Sequence, residues 1–416
     1  MKKLMLGMLG LLLAIQVSAQ QGVVNVNNNP QVTTNTTVST VVNGKSSTYS
    51  YTVNDVKSGV NVKYGDGSNN ESTQDDTPMK AKSFTKSFGI DKSDKINLSN
   101  QYGSITIKTW DKNEIKVDVD MKAYAKTEDE AQKLIDDVSI SATKSGDLVS
   151  YKTEMGERNG NWGSSVKNGK VIWRREVKVH YTVYMPANNS LSASQQYGNI
   201  IIGDFAGPTS IKVQYGNFNA GDLNNGNNYV NVQYGATNIK EANALKIKHQ
   251  YGSGVTIGTV GTLDIDAQYT AVNITSVKGA ASIKHQYGGG VKIGSVGGAI
   301  NVNSQYTSVK ISNLRGNLIS RAQYGSVNID DIEAGRDVDV DAQYTSVNLG
   351  FAANYGGDFD VKTSYASFKY PSTVTARREG GDDRSYSTNK NYTGQIGKGG
   401  GAKVSVKAQY NGVTFK

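Results

Sequence analysis

The chain has 416 residues, with 45 lysines and arginines against 36 acidic residues and a formal net charge of +9. It contains no cysteine, which excludes disulfides, thiolate metal sites, a cysteine nucleophile and a lipid anchor on an N-terminal cysteine. Only three histidines occur, so few side chains are available for metal binding or for acid–base catalysis near neutral pH.

Residues 1–19 have the pattern of a secretory signal peptide. Two lysines precede an apolar run at residues 4–15, and small residues end at Ala19, so we expect cleavage after Ala19. The run is too short to span a bilayer, and no other stretch approaches the roughly 18 apolar residues that a span requires. We therefore expect an exported mature chain without a transmembrane segment, located in the periplasm, on the outer surface or outside the cell.

Residues 20–81 are a polar tract rich in asparagine, threonine and serine. Such a composition cannot bury a core of its own, so we predict a flexible spacer. A short stretch within it, residues 48–53, is a candidate strand.

Residues 82–190 are predicted to hold a first repeat coil and an N-terminal cap. The run INLSNQYGSITI at residues 96–107 matches the later repeats. A helix is predicted over 127–138, because Thr127 and Glu130 form a capping-box pair and an apolar stripe follows. Exposed edge strands at the end of a repeat stack invite aggregation, so we interpret this β-rich block as the cover of that end.

Residues 191–370 repeat a tyrosine at intervals of 17 to 21 residues. Within a unit, apolar and polar residues alternate, as at Leu263, Asp264 and Ile265, and this period of two indicates short strands with one buried face. Near-identical units stack in parallel register. The predicted fold class is all-β: an elongated parallel β-solenoid of about 18 residues per coil, with an N-terminal β-rich cap containing one helix.

Charged residues of neighbouring repeats support this register. In a parallel stack Lys246 and Lys248 lie beside Asp264 and Asp266 of the next coil, and Lys284 follows in the coil after that. Opposite charges on adjacent strands stabilise the pairing by about 0.2–1 kcal/mol each. A slip by one coil would instead bring lysine beside lysine.

A glutamine precedes the tyrosine in each repeat. We interpret the tyrosines as sharing the buried face of Leu263 and Ile265, with a glutamine amide ladder beside them. The alternative is an exposed stripe that grips a polymer. The candidate surface-contact residues are Gln250, Gln268, Gln286, Gln305, Gln323, Gln343, Tyr269, Tyr287 and Tyr306.

The other polar residues do not form a recognisable catalytic motif. His249 and His285 occupy equivalent inward positions two coils apart, too distant to share a metal ion, so we interpret them as structural. We expect no catalytic residue, metal or cofactor. The candidate carboxylates for a polysaccharide-cleaving site are Asp330, Asp331, Asp337, Asp339, Asp341, Asp382 and Asp383.

The repeat degrades toward the C-terminus. Residues 371–398 are rich in glycine, serine, aspartate and arginine and are predicted to be a loop insertion. Residues 399–416 restore the alternation and are predicted to form a terminal β coil.

Three stretches together resemble the bacterial exported "putative adhesin" β-strand-repeat family, which is related to the auto-transporter adhesin head domain. They are KSFTKSFGIDKSDKINLSNQYGSITIKTWDKNEIKV, YTVYMPANNSLSASQQYGNI and the repeated QYG or QYT coils, and the resemblance covers about residues 82–416. It implies a β-solenoid fold and a surface or adhesive role. It brings no catalytic residues.

The functional expectation is a noncatalytic exported β-repeat protein that acts as an adhesin or as a cell-envelope interaction scaffold. Its expected partners are surface glycans or envelope components. Export argues against nucleic acid, and the basic charge favours either weak attraction to anionic glycans or solubility alone. The alternatives are a carbohydrate-binding or carbohydrate-processing β-helix and an envelope component without a ligand. The oligomeric state is open.

Overall fold

The computed structural model describes the chain in five ranges, which are residues 33–42, 45–54, 75–157, 160–379 and 388–416. These ranges are all-β with a single helix. The predicted signal peptide lies outside them.

The density of internal contacts divides the chain into two units. One unit is Met1–Asp76 with Ser165–Ile172, and the other is Thr77–Ser164 with Trp173–Lys416. In the first unit, β1 (Thr33–Val42) and β2 (Lys45–Asn54) form an antiparallel hairpin. This hairpin extends beyond the short strand suggested at residues 48–53.

Seven further strands precede the main repeats in the described residues. They are β3 (Met79–Gly89), β4 (Lys95–Thr109), β5 (Glu114–Tyr124), β6 (Val138–Ser145), β7 (Leu148–Met155), β8 (Gly163–Lys167) and β9 (Lys170–Met185). Strand β5 pairs antiparallel with β3 and β9, and β6 pairs antiparallel with β7. Strand β4 pairs in parallel with β7, β9 and the first strand of the main repeats. The early repeat at residues 96–107 therefore joins the later ones across a long sequence separation.

The predicted helix is present as α1 (Glu128–Asp136). Thr127 is its N-cap, and the Thr127 hydroxyl accepts a hydrogen bond of 3.2 Å from the backbone N–H of Glu130. Its apolar side chains, among them Leu134 and Ile135, are buried. The helix ends two residues before the predicted limit because Val138 already begins β6, which is held by pairing with β7.

The main repeats consist of parallel strands of 6 to 15 residues, and the longest of them continue through a turn of the repeat. They are β10 (Ser190–Ile202), β11 (Thr209–Gln214), β12 (Phe218–Leu223), β13 (Asn228–Gln233), β14 (Ala236–Gln250), β15 (Gly254–Gln268), β16 (Ala271–Val277), β17 (Ala281–Gln286), β18 (Gly290–Val296), β19 (Ile300–Gln305), β20 (Ser308–Leu314), β21 (Leu318–Ile332), β22 (Val338–Phe351) and β23 (Gly357–Ser364).

Equivalent residues of successive repeats are hydrogen-bonded neighbours. One such column is buried throughout: Leu245, Leu263, Ala281, Ile300, Leu318 and Val338. Buried and exposed positions alternate along each strand, as the period of two requires. The core is therefore a set of apolar columns that cross the strands, in which buried side chains of neighbouring repeats lie side by side.

The order of strands changes at the C-terminus. The remaining strands are β24 (Phe368–Lys369), β25 (Val374–Glu379), β26 (Asn389–Ile396), β27 (Ala402–Gln409) and β28 (Val413–Phe415). Strand β27 pairs in parallel with both β22 and β23, so the last coil of the sequence lies between two earlier ones. The other edge of β23 pairs antiparallel with β26, which forms a hairpin with β25.

The charge register matches the prediction. Lys246 pairs with Asp264 at 3.4 Å, and Lys284 pairs with Asp266 at 3.6 Å. These side chains are largely exposed, so each ion pair stabilises the fold by at most about 1 kcal/mol. These ion pairs instead help to specify which repeats lie next to one another.

Candidate functional site

Twelve tyrosines, one from each repeat and all except Tyr365 next to a glutamine, form a continuous ladder of stacked rings. Ring centroids are 4.3 to 5.6 Å apart, and neighbouring rings are within 13° of parallel. In stacking order they are Tyr102, Tyr197, Tyr215, Tyr234, Tyr251, Tyr269, Tyr287, Tyr306, Tyr324, Tyr344, Tyr410 and Tyr365. We call this set the tyrosine ladder.

The tyrosine ladder lies on the surface, so the interpretation that the tyrosines share the buried face is wrong. Tyr269 is 48% exposed and Tyr306 is 48% exposed, whereas Ile265 beside them in the repeat is buried. The cause is the backbone. Every ladder tyrosine has a positive φ, such as +53° at Tyr269, which turns the chain at the corner and interrupts the alternation that would have pointed the ring inward.

A positive φ is uncommon for a bulky residue and costs about 1–3 kcal/mol at each position. The residue that follows the tyrosine explains why the conformation is kept. A Cβ on Gly216 would overlap the backbone of Gly198 in the preceding coil, and a Cβ on Gly325 would overlap the carbonyl oxygen of Thr307. Because neighbouring repeats approach this closely at the corner, the stack imposes the tyrosine conformation. Contacts between the stacked rings offset part of its energetic cost.

At one of these corners, the ring of His249 occupies the space that a side chain on Gly252 would need. A Cβ on Gly252 would overlap Cε1 of His249 and the carbonyl oxygen of Gly235. The next coil carries the smaller Ala267 at the histidine position and the larger Thr270 at the glycine position, and both are buried. Large and small residues thus alternate between the two positions and keep the corner filled.

Both repeat histidines are buried, as predicted. Burial lowers the pKa of His249 to about 4, and burial also lowers the pKa of His285. Nε2 of His285 is 3.0 Å from the carbonyl oxygen of Thr270. Both rings are therefore neutral at physiological pH, and their equivalent positions two coils apart prevent them from sharing a metal ion.

The predicted glutamine ladder lies beside the tyrosines. Side-chain amides donate to the amide oxygen of the next coil from Gln233 to Gln250 at 3.1 Å and from Gln250 to Gln268 at 3.2 Å. A similar bond of 3.0 Å joins Gln286 to Gln305. The backbone register also places Gln323 and Gln343 in this column. We call these residues the glutamine column.

The geometry limits the chemistry that this surface offers. Within the tyrosine ladder each ring face is covered by the next ring, so a ligand meets ring edges and hydroxyl groups rather than open aromatic faces. The glutamine column adds amide donors and acceptors at the same spacing. The surface is suited to repeated hydrogen bonds with an extended ligand.

The carboxylates considered for catalysis do not come together. Asp330 pairs with Lys310 at 3.0 Å, Asp339 pairs with Arg321 at 2.9 Å, and a carboxylate oxygen of Asp337 accepts from the backbone N–H of Lys403. Asp382 and Asp383 lie outside the described residues. In the part of the chain that the structure describes, no three histidine, aspartate or glutamate side chains are grouped to hold a metal ion.

One surface depression was not predicted from the sequence. It has a volume of about 390 Å³, is largely open to solvent, and includes Asn228, Leu245, Lys246 and Asp264 in its lining. It lies where the second strand of one repeat leads into the first strand of the next, at small residues such as Ala244. The sequence signal for this depression is the small residues, such as Ala244 and Ala280, at equivalent positions of the repeats.

Comparison with known proteins gives a limited result. No family model and no curated protein matches the chain. Solved structures with some likeness include a "putative cell adhesion protein" from Clostridium sporogenes, 10% identical, covering 81% of this chain and 99% of its own at a TM-score of 0.17. Another is a "putative adhesin" from Parabacteroides merdae, 12% identical, covering 64% and 91% at a TM-score of 0.24. A third is a "putative adhesin" from Bacteroides fragilis, 11% identical, covering 80% and 97% at 0.21.

These TM-scores are too low to transfer any property of those proteins to this chain. Across the described ranges, no helix has the length and apolar character needed to cross a bilayer.

Proposed function

We propose that this chain is a noncatalytic, exported β-repeat scaffold that makes adhesive contacts through the tyrosine ladder and the glutamine column. Its partners are surface glycans or other polymers of the cell envelope. The repeats from residue 191 to residue 370, with the first coil and the last one, form the coils of a β-solenoid in this proposal.

The solenoid is supported by the strand register. Each strand of the repeats pairs in parallel with the equivalent strand one repeat away, so that Asp264 lies between Lys246 and Ser282 and the same holds along the column. Parallel strands in one sheet require long connections, and here the second strand of each repeat and its two turns supply them. Stability then accumulates through contacts between neighbouring coils.

The observation that carries the adhesive role is the continuity of an exposed tyrosine ladder in which every rung repeats the same groups. A single rung offers only a hydroxyl group, a ring edge and an amide, which gives weak binding. A polymer that contacts many rungs at once gains affinity because each further contact is intramolecular. A surface of this kind favours long ligands over small ones.

The experiment compares a ladder variant with a matched control. Replacing Tyr269, Tyr287 and Tyr306 together by phenylalanine removes three hydroxyl groups but keeps the stacked rings. We expect binding to a glycan array and to purified envelope polysaccharide to fall, with an unchanged thermal melt. The control is Tyr229→Phe, a tyrosine outside the ladder. Equal binding by the variant, the control and the parent chain would refute the proposed contact surface.

Export and the domain boundaries are part of the same proposal. We infer that residues 1–19 are removed after Ala19 and that residues 20–81 link the export signal to the folded block of residues 82–190. N-terminal sequencing of protein recovered from cell fractions tests this directly. A mature chain that retains Met1 in the cytoplasmic fraction would contradict it.

A further inference from the structure

The tyrosine ladder brings phenol rings together in a way that favours oxidative coupling. Neighbouring rings are nearly parallel, and their centroids are 4.7 Å apart for Tyr306 and Tyr324 and 4.3 Å apart for Tyr344 and Tyr410. The rings are also accessible, since Tyr306 is 48% and Tyr324 is 43% exposed. Oxidation of one ring thus creates a radical that already has a phenol beside it.

We propose that the tyrosine ladder is a modification site at which a peroxide-driven one-electron oxidant joins neighbouring coils through dityrosine bonds. Each of two adjacent phenols loses one electron and one proton. The two phenoxyl radicals then couple through ring carbons ortho to their hydroxyl groups, and the hydrogen on each coupled carbon moves to the adjacent oxygen. Overall two tyrosines lose two hydrogen atoms, and one hydrogen peroxide becomes two water molecules.

The composition excludes the commonest covalent link between strands. The chain has no cysteine, so no disulfide can form between them. A bond between neighbouring rungs closes a loop, of one repeat for most pairs and longer for Tyr344 with Tyr410, and it restricts the unfolded chain as a disulfide does. Cross-linking therefore raises the unfolding temperature without changing the register of the strands.

The stacking order gives the proposal a specific signature. Tyr344 stacks on Tyr410, and Tyr410 stacks on Tyr365, because β27 lies between β22 and β23. Tyr344 and Tyr365 are consecutive ladder tyrosines in the sequence but are separated in the stack by Tyr410. We expect Tyr344–Tyr410 and Tyr365–Tyr410 links and no Tyr344–Tyr365 link.

The experiment treats the full chain at low concentration with horseradish peroxidase and hydrogen peroxide. Dityrosine fluorescence, migration on a denaturing gel and mass spectrometry of tryptic fragments report the amount, the inter- or intramolecular nature and the position of the links. Lys292 separates the fragments that carry Tyr287 and Tyr306, so this pair is resolved directly. We expect intramolecular links between stacked neighbours and a higher unfolding temperature after treatment.

Phenylalanine variants provide the controls. Tyr306→Phe keeps a ring in the stack but cannot form a phenoxyl radical, so links at this rung should disappear while those at Tyr344–Tyr410 persist. Tyr229→Phe, outside the ladder, should leave the pattern unchanged. Links that are only intermolecular, links between tyrosines chosen without regard to the stack, or a Tyr344–Tyr365 link of equal yield would each overturn the proposal. Loss of glycan binding is a separate measurement, so failure of either proposal is recognisable without the other.

Discussion

Each ladder tyrosine combines a strained backbone with a ring that stacks on the ring of a neighbouring repeat. Where a glycine follows the tyrosine, the neighbouring repeats leave almost no free space, as at Gly252, where a Cβ would overlap both Gly235 and His249. The ring contacts add about 0.5–1.5 kcal/mol per pair and offset part of that strain. Packing at the corner and exposure of the ring are thus two consequences of one backbone conformation.

The tight corner predicts a strong effect of a single methyl group. Gly252→Ala should destabilise the protein by about 1–3 kcal/mol, because the coil must shift to relieve the overlap. Gly254→Ala is the matched control, since a Cβ there would lie 3.7 Å from its nearest neighbour, the carbonyl oxygen of Ala271. Urea unfolding curves measure both. Equal midpoints for the two variants would contradict the packing described here.

The buried histidines predict a loss of stability in acid. The ordinary histidine pKa is 6.5, and burial lowers the pKa of His249 to about 4. Between these values the unfolded chain binds a proton that the folded chain does not, so stability falls as the pH drops below 6.5 and is unaffected above it. The expected slope is about 1.4 kcal/mol per pH unit for one such group.

His249→Ala tests this by giving the coil the residue found at Ala267 in its neighbour. The variant loses packing at every pH, so the informative quantity is the difference in stability between pH 7 and pH 5. This difference should be smaller in the variant than in the parent chain. Denaturant unfolding at both pH values measures it, and an unchanged difference would show that His249 is protonated in the folded state.

At the scale of elements, the N-terminal helix depends on its cap. The Thr127 hydroxyl accepts the backbone N–H of Glu130, and three acidic residues lie in the first turn, where they complement the helix dipole. Thr127→Ala should cost about 1 kcal/mol, and Thr127→Ser should restore most of it. Thermal melts of the three proteins compare them. No difference between alanine and serine would show that the cap contributes nothing.

The arrangement of elements also decides which coils depend on one another. Strand β27 has β22 on one side and β23 on the other, so its removal deprives both of a parallel partner. Truncation after Gly401 should therefore abolish protection in β23 and β26, although both precede the truncation. Hydrogen exchange read by mass spectrometry measures this. Retained protection at residues 357–364 would contradict the strand order.

At the scale of the whole molecule, the proposed function follows from repetition rather than from a pocket. The ladder offers the same few groups at every rung, and the charged pairs between neighbouring repeats, such as Lys246 with Asp264, are largely exposed and neutralise one another. The proposed adhesion through many weak contacts and the proposed cross-linking between adjacent rungs both depend on that regularity. A chain of the same composition without the register would have neither property.

Much of this architecture was determined by the sequence alone. The period of the tyrosines and the alternation at Leu263 and Ile265 indicate stacked strands with one buried face, and the charges at Lys246 and Asp264 indicate the register. Thr127 and Glu130 indicate the start of the helix. These features could be predicted because they depend on neighbours close in the chain or on an exact repeat.

Two features were decided only by the tertiary structure. The sequence pattern cannot reveal that Tyr269 lies outside, because its orientation depends on a positive φ that the packing of adjacent coils imposes. Nor can it reveal that Tyr410 lies between Tyr344 and Tyr365, because all three follow equally similar repeats. The choice of partner there depends on the hairpin of β25 and β26, which occupies the outer edge of β23 and leaves its other edge to the last coil.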